Sequence, residues 1–509
     1  MSAPNRGAPT PPIAFEGDAT RATARFASSA VTVPGDVTAR LRDACPTVDE
    51  AGAIAEAGRD WWPLAMHWAL KGETPAKAAV LARPTSTEEV SAVLRICNDA
   101  RIPVTPVAGR SGVCGASIPV FGGVALDLTA LTRIVDVDDA SLLVNVRAGM
   151  FGDVFEDELR LKHNLTCGHW PQSINLSTVG GWAACRGAGQ YSTRYGKIED
   201  IVRGLEVVLA NGTVVRTGGR GPRQAVGPDL NQLFVGSEGT LGVITEVQLR
   251  VHPVPPSEAK AAFGFESFAA GLEACRLVLR ADANPAVLRL YDARESRRHF
   301  DTPRGQCVLL VYDEAAAALV AGNMAVVEDA CAREGAELLD AHLVDHWLER
   351  RNDVTALETA VRGGIVVDTT EISGRWRDLP AIYDAVVAAM DALPGTLACT
   401  SHQSHAYTDG ACLYFTWAGQ PAGGGKGQSD DVEGYYNAAW STVTNTVLEH
   451  GGALSHHHGV GLNRSRFLVD ALGHPAYDAL CAVKSSLDPH GILNPGKFFP
   501  STWGPVPWR

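Results

Sequence analysis

The sequence predicts a two-domain α+β protein. Short apolar strands, amphipathic helices and glycine-rich turns alternate through the first half. A proline pair, Pro255-Pro256, stops a long strand pattern. Beyond it, long helical patterns alternate with strands as in an antiparallel sheet carrying helices on one face. At ~100–200 residues per domain, 509 residues make two to four units. The expected division is 1–78 as an arm with helices, 79–256 as a ligand-binding domain, 257–470 as a cap, and 471–509 as a segment packing back on the body.

MSAPNRGAPTPPIAFEGD is Pro-rich and polar and lacks an apolar run, so it reads as a mobile arm and not as a signal peptide. RDWWPLAMHW (59–68) reads as a core patch. Ser86 and Glu89 form a capping box before the apolar stripe Val90, Val93, Leu94, Cys97. VTPVAG (104–109) is a strand entering a turn, and 123–128, 133–138 and 142–147 alternate as strands. Residues 152–163 are a helix, and 205–218 a hairpin turning on Asn211-Gly212 as a two-residue loop. Residues 241–254 form a long strand. Helices at 268–282 and 317–335 then alternate with strands at 306–313 and 411–419. QPAGGGKGQSDD (420–431) reads as a flexible loop without a phosphate-binding frame, and LDPHGILNPGKFFP (487–500) as a turn-rich segment docked on the body.

Composition narrows the partners. Lys and Arg total 44 against 57 Asp and Glu, a net charge of −13, which argues against nucleic acid and anionic membranes. No run of ~18 apolar residues is present, so no spanning helix is expected. Eleven cysteines without CxxC pairs suggest reduced thiols and a cytoplasmic protein. The expected ligand is a small molecule or lipid-like substrate.

Three glycine-rich segments carry the chemistry: PVAGRSGVCGAS (106–117), PQSINLSTVGGWAACRGAG (171–189) and GSEGTLGVITE (236–246). Glycines let backbone approach a ligand, and successive N–H groups make a nest for phosphate oxygens. Three such segments in α/β surroundings point to a dinucleotide. GxGxxG and GxSxG are both missing, which disfavours a nicotinamide site and a hydrolase elbow.

From about residue 80 onward these segments resemble the flavin cradle of the vanillyl-alcohol oxidase / para-cresol methylhydroxylase superfamily. The resemblance implies FAD and assigns three sets of contacts. The first is Pro106, Val107, Ala108, Gly109, Arg110, Ser111 and Gly112. The second is Gln172, Ser173, Ser177, Thr178, Gly180, Gly181, Cys185, Arg186, Gly187 and Ala188. The third is Glu238, Gly239, Thr240, Leu241, Gly242, Val243 and Ile244. Some members tether FAD through a His of the first loop. None stands in 106–112, which implies noncovalent FAD.

The second half resembles a particular branch. Metal-using D-2-hydroxyacid dehydrogenases of the superfamily carry HxGDGNxH and GEHGVG; here Tyr407, Tyr414 and His457 replace the metal-binding residues, and no metal is expected. GACLYF (410–415) and SHHHGVG (455–461) instead resemble alkyldihydroxyacetonephosphate synthase. That resemblance implies exchange of the acyl group of acyl-dihydroxyacetone phosphate for a fatty alcohol through a flavin N5 adduct. Tyr414 would be the acid/base, with His456, His457 and His458 beside it and a cationic neighbour depressing the phenol's pKa. A dimer is implied by the family's habit alone.

Arg289 in VLRLYD matches an active-site arginine of the branch, or else pairs with Asp292 or a helix end. The register of the branch's phosphate-binding arginine, set from Glu371 in VVDTTEIS (a strand–helix junction by the resemblance), holds Leu357 here. Arg351 and Arg362 flank it as candidate substrate ligands. SHQSH (401–405) has His spacing compatible with a metal-ligand pair, but reads as a loop near the site. The alternative function is metal-independent FAD-dependent oxidation of an alcohol or 2-hydroxy acid.

Overall fold

The structure is a computed structural model that describes residues 6–218, 221–300, 305–421 and 431–508. Its fold is the two-domain α+β one that the alternation predicts. Among the described residues, the first domain holds two larger sheets and two short strand pairs. In a four-stranded sheet, Val80–Ala82 and Val104–Val107 both run parallel to Val124–Asp127 between them, and Thr47–Val48 adds an antiparallel edge. Helix Thr87–Ala100 starts where Ser86 caps the Glu89 N–H, and its stripe of Val90, Val93, Leu94 and Cys97 is fully buried. A second, antiparallel sheet of five strands centres on Val243–Arg250.

The second domain is a seven-stranded sheet, antiparallel throughout. Strand alternation decides what each face meets. Leu413, Phe415 and Trp417 point into a helical layer with Trp440 and Val443. The opposite face is also covered, unlike the one-sided sheet the sequence suggests. There Leu310 and Tyr312 pack on Trp347 and on Tyr191 and Tyr195 of the first domain. On this second face Tyr414 looks into the gap between the domains. The terminal segment returns to the first domain, where Val104 donates to the Ile492 carbonyl.

Four local expectations are corrected. Residues 6–18 are docked, not a free arm: Ile13 and Phe15 are buried against Trp61 and Met66, and the Trp61 indole donates to the Thr10 carbonyl. The Asn211-Gly212 hairpin closes on three residues, with Leu209 donating to the Thr213 carbonyl. Gly212 takes a φ of +81°, the bulged arrangement a glycine permits. Residues 401–405 lie inside the strand Thr396–Ala406, and Glu371 lies in mid-strand within Val366–Arg375. Of the loop expected at 420–431, residues 422–430 lie outside the described ones.

Candidate active site

A cavity of about 550 Å³ lies between the glycine-rich segments and the sheet face that carries Tyr414. Its first wall is the 106–112 loop. Arg110 has a φ of +56°, which turns successive N–H groups to one side. Those of Gly109, Arg110, Ser111 and Gly112 meet no acceptor among the described residues. The Arg110 guanidinium also lines the cavity, where burial disfavours its charge. An anion would satisfy all of these groups at once. A Cβ on residue 109 would fall 2.3 Å from the Leu176 carbonyl oxygen, so only glycine lets this loop lie against the second segment.

In the second segment, Trp182 is buried and donates to the Ser177 hydroxyl. The third is tied to the histidine loop: Glu238 is buried, and its carboxylate accepts the N–H groups of Val460 and Gly461. Donors without partners on one wall and close-packed backbone on the others fit a dinucleotide pyrophosphate. Arg186, Thr240 and Leu241 are the flavin-assigned residues that the structure keeps out of the cavity wall. Arg186 is paired with Glu199, the Thr240 hydroxyl is bonded to the Ser237 carbonyl, and Leu241 is in the core.

Across the cavity, the Tyr414 hydroxyl lies 2.5 Å from His457 Nε2 and 3.2 Å from His458 Nε2. The His402 ring stacks on the phenol at 4.8 Å. Glu371, directly across the ladder from Tyr414, is fully buried and collects the loop. It accepts the N–H groups of His456 and His458, the Ser455 hydroxyl, and the Arg464 guanidinium at 2.7 Å. Burial alone would raise its pKa, but Arg464 and the neighbouring histidines hold it down to about 2.

The phenol's expected depression is overturned. Burial pushes the Tyr414 pKa well above the ordinary range, more than Arg289 and Arg464 pull it down. Burial and its two histidine neighbours hold His457 well below the imidazole range, and burial brings His456 and His458 to about 4. At neutral pH the cluster is therefore an uncharged phenol donating among uncharged imidazoles. One ring nitrogen from each of His405, His456 and His457 lies close enough to the others to hold a metal ion, as does one donor atom from each of Glu371, Cys412 and His457.

The candidate arginines separate. Arg289 lines the cavity and bonds the Tyr291 hydroxyl and His402 Nε2, both at 2.7 Å, so the alternative pair with Asp292 does not form. Arg351 lines the cavity, caged by the rings of Trp170, Tyr191 and Trp347, and its buried Nη1 has no partner. Arg362 is paired with Glu358 and stays outside the wall.

Several wall residues were given no role from the sequence, His169 and Gln190 among them. His169 is buried with neither ring nitrogen bonded, and Gln190 has an unpaired carbonyl oxygen. His405 enters by a bulge: the register slips between Ser404 and Ala406, and His405 takes a φ of +54°. Without the bulge, the i,i+3 spacing of His402 and His405 would put them on opposite faces of a strand. The bulge is what brings both histidines of SHQSH to the cavity.

Comparisons with known proteins agree with the geometry. Residues 78–218 match the family described as FAD binding domain, and 254–498 the one described as FAD linked oxidases, C-terminal domain. The uncharacterised FAD-linked oxidoreductase YgcU of Escherichia coli O157:H7 is 33% identical over 440 residues, covering 84% of this chain and 90% of that protein. Alkyldihydroxyacetonephosphate synthase of Dictyostelium discoideum is 26% identical, covering 84% and 74%. A solved alkyldihydroxyacetonephosphate synthase superposes with a TM-score of 0.77 at 22% identity, covering 97% of this chain and 90% of that one.

Proposed function

Since the chain belongs to the FAD-linked oxidase family and is an FAD-dependent enzyme, we propose that it exchanges the acyl group of acyl-dihydroxyacetone phosphate for a fatty alcohol. One C–O bond breaks and another forms. The alcohol's hydroxyl proton leaves with the carboxylic acid, and no electrons are gained overall. The observation that carries this reading is the Tyr414 hydroxyl set between two imidazoles in the cavity wall. Such a group passes protons both ways, which an exchange requires and a one-way oxidation does not. The Arg351 guanidinium in its aromatic cage, with its buried Nη1 unpartnered, supports an anionic substrate group. The similarity to the Dictyostelium synthase supports the same chemistry.

FAD would be held by the 106–112 nest and Arg110 on one side and by the 171–189 and 236–246 segments on the others. When bound it supplies an electrophilic ring, and the chain's own residues orient the substrate and move its protons. With no His in 106–112, acid precipitation of the yellow protein is expected to release the flavin into the supernatant. Flavin that stays in the pellet would mean a covalent tether.

A second reading is metal-independent oxidation of an alcohol or 2-hydroxy acid. The higher identity to a protein named as an FAD-linked oxidoreductase favours it, and the Arg289–His402 pair is suited to a carboxylate. Anaerobic mixing separates the two. With acyl-dihydroxyacetone phosphate and a fatty alcohol, ether product and free fatty acid are expected, with the oxidised flavin spectrum regained at the end. Persistent bleaching by a hydroxy acid or alcohol, without ether product, would establish the oxidoreductase.

A further inference from the structure

The hydrogen bonds at Tyr414 do not end at His457. His457 Nδ1 lies 2.8 Å from His456 Nδ1, and His456 Nε2 lies 3.0 Å from the Tyr407 hydroxyl. That hydroxyl lies 3.2 Å from the Ser192 hydroxyl, which is 2.9 Å from His405 Nδ1. Each interior group is a hydroxyl or a ring that can donate on one side and accept on the other. The chain can therefore point wholly in either direction. Its two ends, Tyr414 and His405, both line the cavity, while His456, Tyr407 and Ser192 lie behind the wall. His405 reaches the cavity only through its bulge and positive φ, a backbone state a non-glycine residue adopts at a cost.

We propose that Tyr414, His457, His456, Tyr407, Ser192 and His405 form one proton relay joining two cavity groups, with His405 as the second proton-transfer residue. The inference rests on the reading of Tyr414 as an acid–base group. A proton accepted at Tyr414 displaces one proton per link: phenol to His457, His457 to His456, then to Tyr407, Ser192 and His405 Nδ1. His405 then gives its Nε2 proton to the cavity. Charge is conserved at every step, and the chain is left pointing the other way. The alcohol's proton is thereby carried to the departing carboxylate without crossing bulk water.

Tyr407→Phe and Ser192→Ala cut the relay outside the cavity. Turnover of acyl-dihydroxyacetone phosphate with a fatty alcohol is expected to fall at least roughly ten-fold in each, within the ~10²–10⁴-fold worth of a positioned acid or base. The solvent deuterium isotope effect on turnover should rise, and added imidazole should restore rate. A readout free of turnover is the ring-nitrogen NMR spectrum of ¹⁵N-histidine holoenzyme. Ser192→Ala touches neither His456 nor His457, yet it should shift their tautomer signals, because the relay orients as a unit. Unaltered turnover, isotope effect and ring signals in both variants, beside an impaired Tyr414→Phe, would overturn the relay and leave the Tyr414 reading standing. An unimpaired Tyr414→Phe would overturn both.

Discussion

Tyr414→Phe is expected to lower turnover by roughly two to four decades, the usual contribution of a positioned acid or base. The substitution removes one oxygen and keeps the ring, so the His402 stack at 4.8 Å survives. What it leaves behind is two imidazole Nε2 atoms without their shared partner, a penalty of about 1–3 kcal/mol per unsatisfied group. That is too little to unfold a chain of this size, and the FAD cradle is on the other wall. Flavin content read from absorbance should therefore match the wild type while turnover collapses. His457→Ala should be impaired as well, and the double variant should lose less than the product of the two, as groups acting as a unit do. A fully flavinated Tyr414→Phe enzyme with unchanged turnover would reduce the tyrosine to packing.

Where the physics is local, the sequence was readable. The Ser86 cap and its apolar stripe, and the period-two alternation that sets Leu413, Phe415 and Trp417 against the helices, follow from one segment at a time. Glycine spacing located the loops around the cavity for the same reason. The rest depends on partners far apart in the chain. A phenol's pKa is set by what buries it, so the expected depression failed: burial outweighs the pull of Arg289 and Arg464, and it also holds the three half-buried loop histidines below the imidazole range. His405's place in the wall depends on a bulge that breaks alternation, and the choice of Arg351 over Arg362 on an aromatic cage drawn from three separate segments. The docked N-terminus followed from two apolar side chains, Ile13 and Phe15, in a segment whose average composition is polar.

The second large effect concerns what holds the histidine loop. Arg464 and Glu371 are both fully buried and 2.7 Å apart. Removing one partner of such a pair costs about 3–5 kcal/mol, because the other charge stays buried without compensation. Arg464→Met, which keeps the bulk beside Trp440, is expected to lower the denaturant midpoint at pH 7 accordingly. The pH dependence gives the sign. Glu371 is held at about 2 in the folded protein against an ordinary 4.5. Its contribution is therefore complete above about 4.5 and is lost as pH falls from there toward 2. Without Arg464, burial dominates and raises the carboxyl above its ordinary value. The variant then loses stability as pH rises through that raised value. The gap between wild type and variant should be widest near neutrality and narrow when midpoints are measured at pH 4. A gap equally wide at both would mean that Arg464 acts through packing alone. Catalysis should follow the same carboxylate, since Glu371 also fixes the N–H groups of His456 and His458. Glu371→Gln, still folded but with a weaker acceptor, is expected to slow turnover more than it weakens flavin binding, because the loop it releases carries the imidazoles that meet Tyr414.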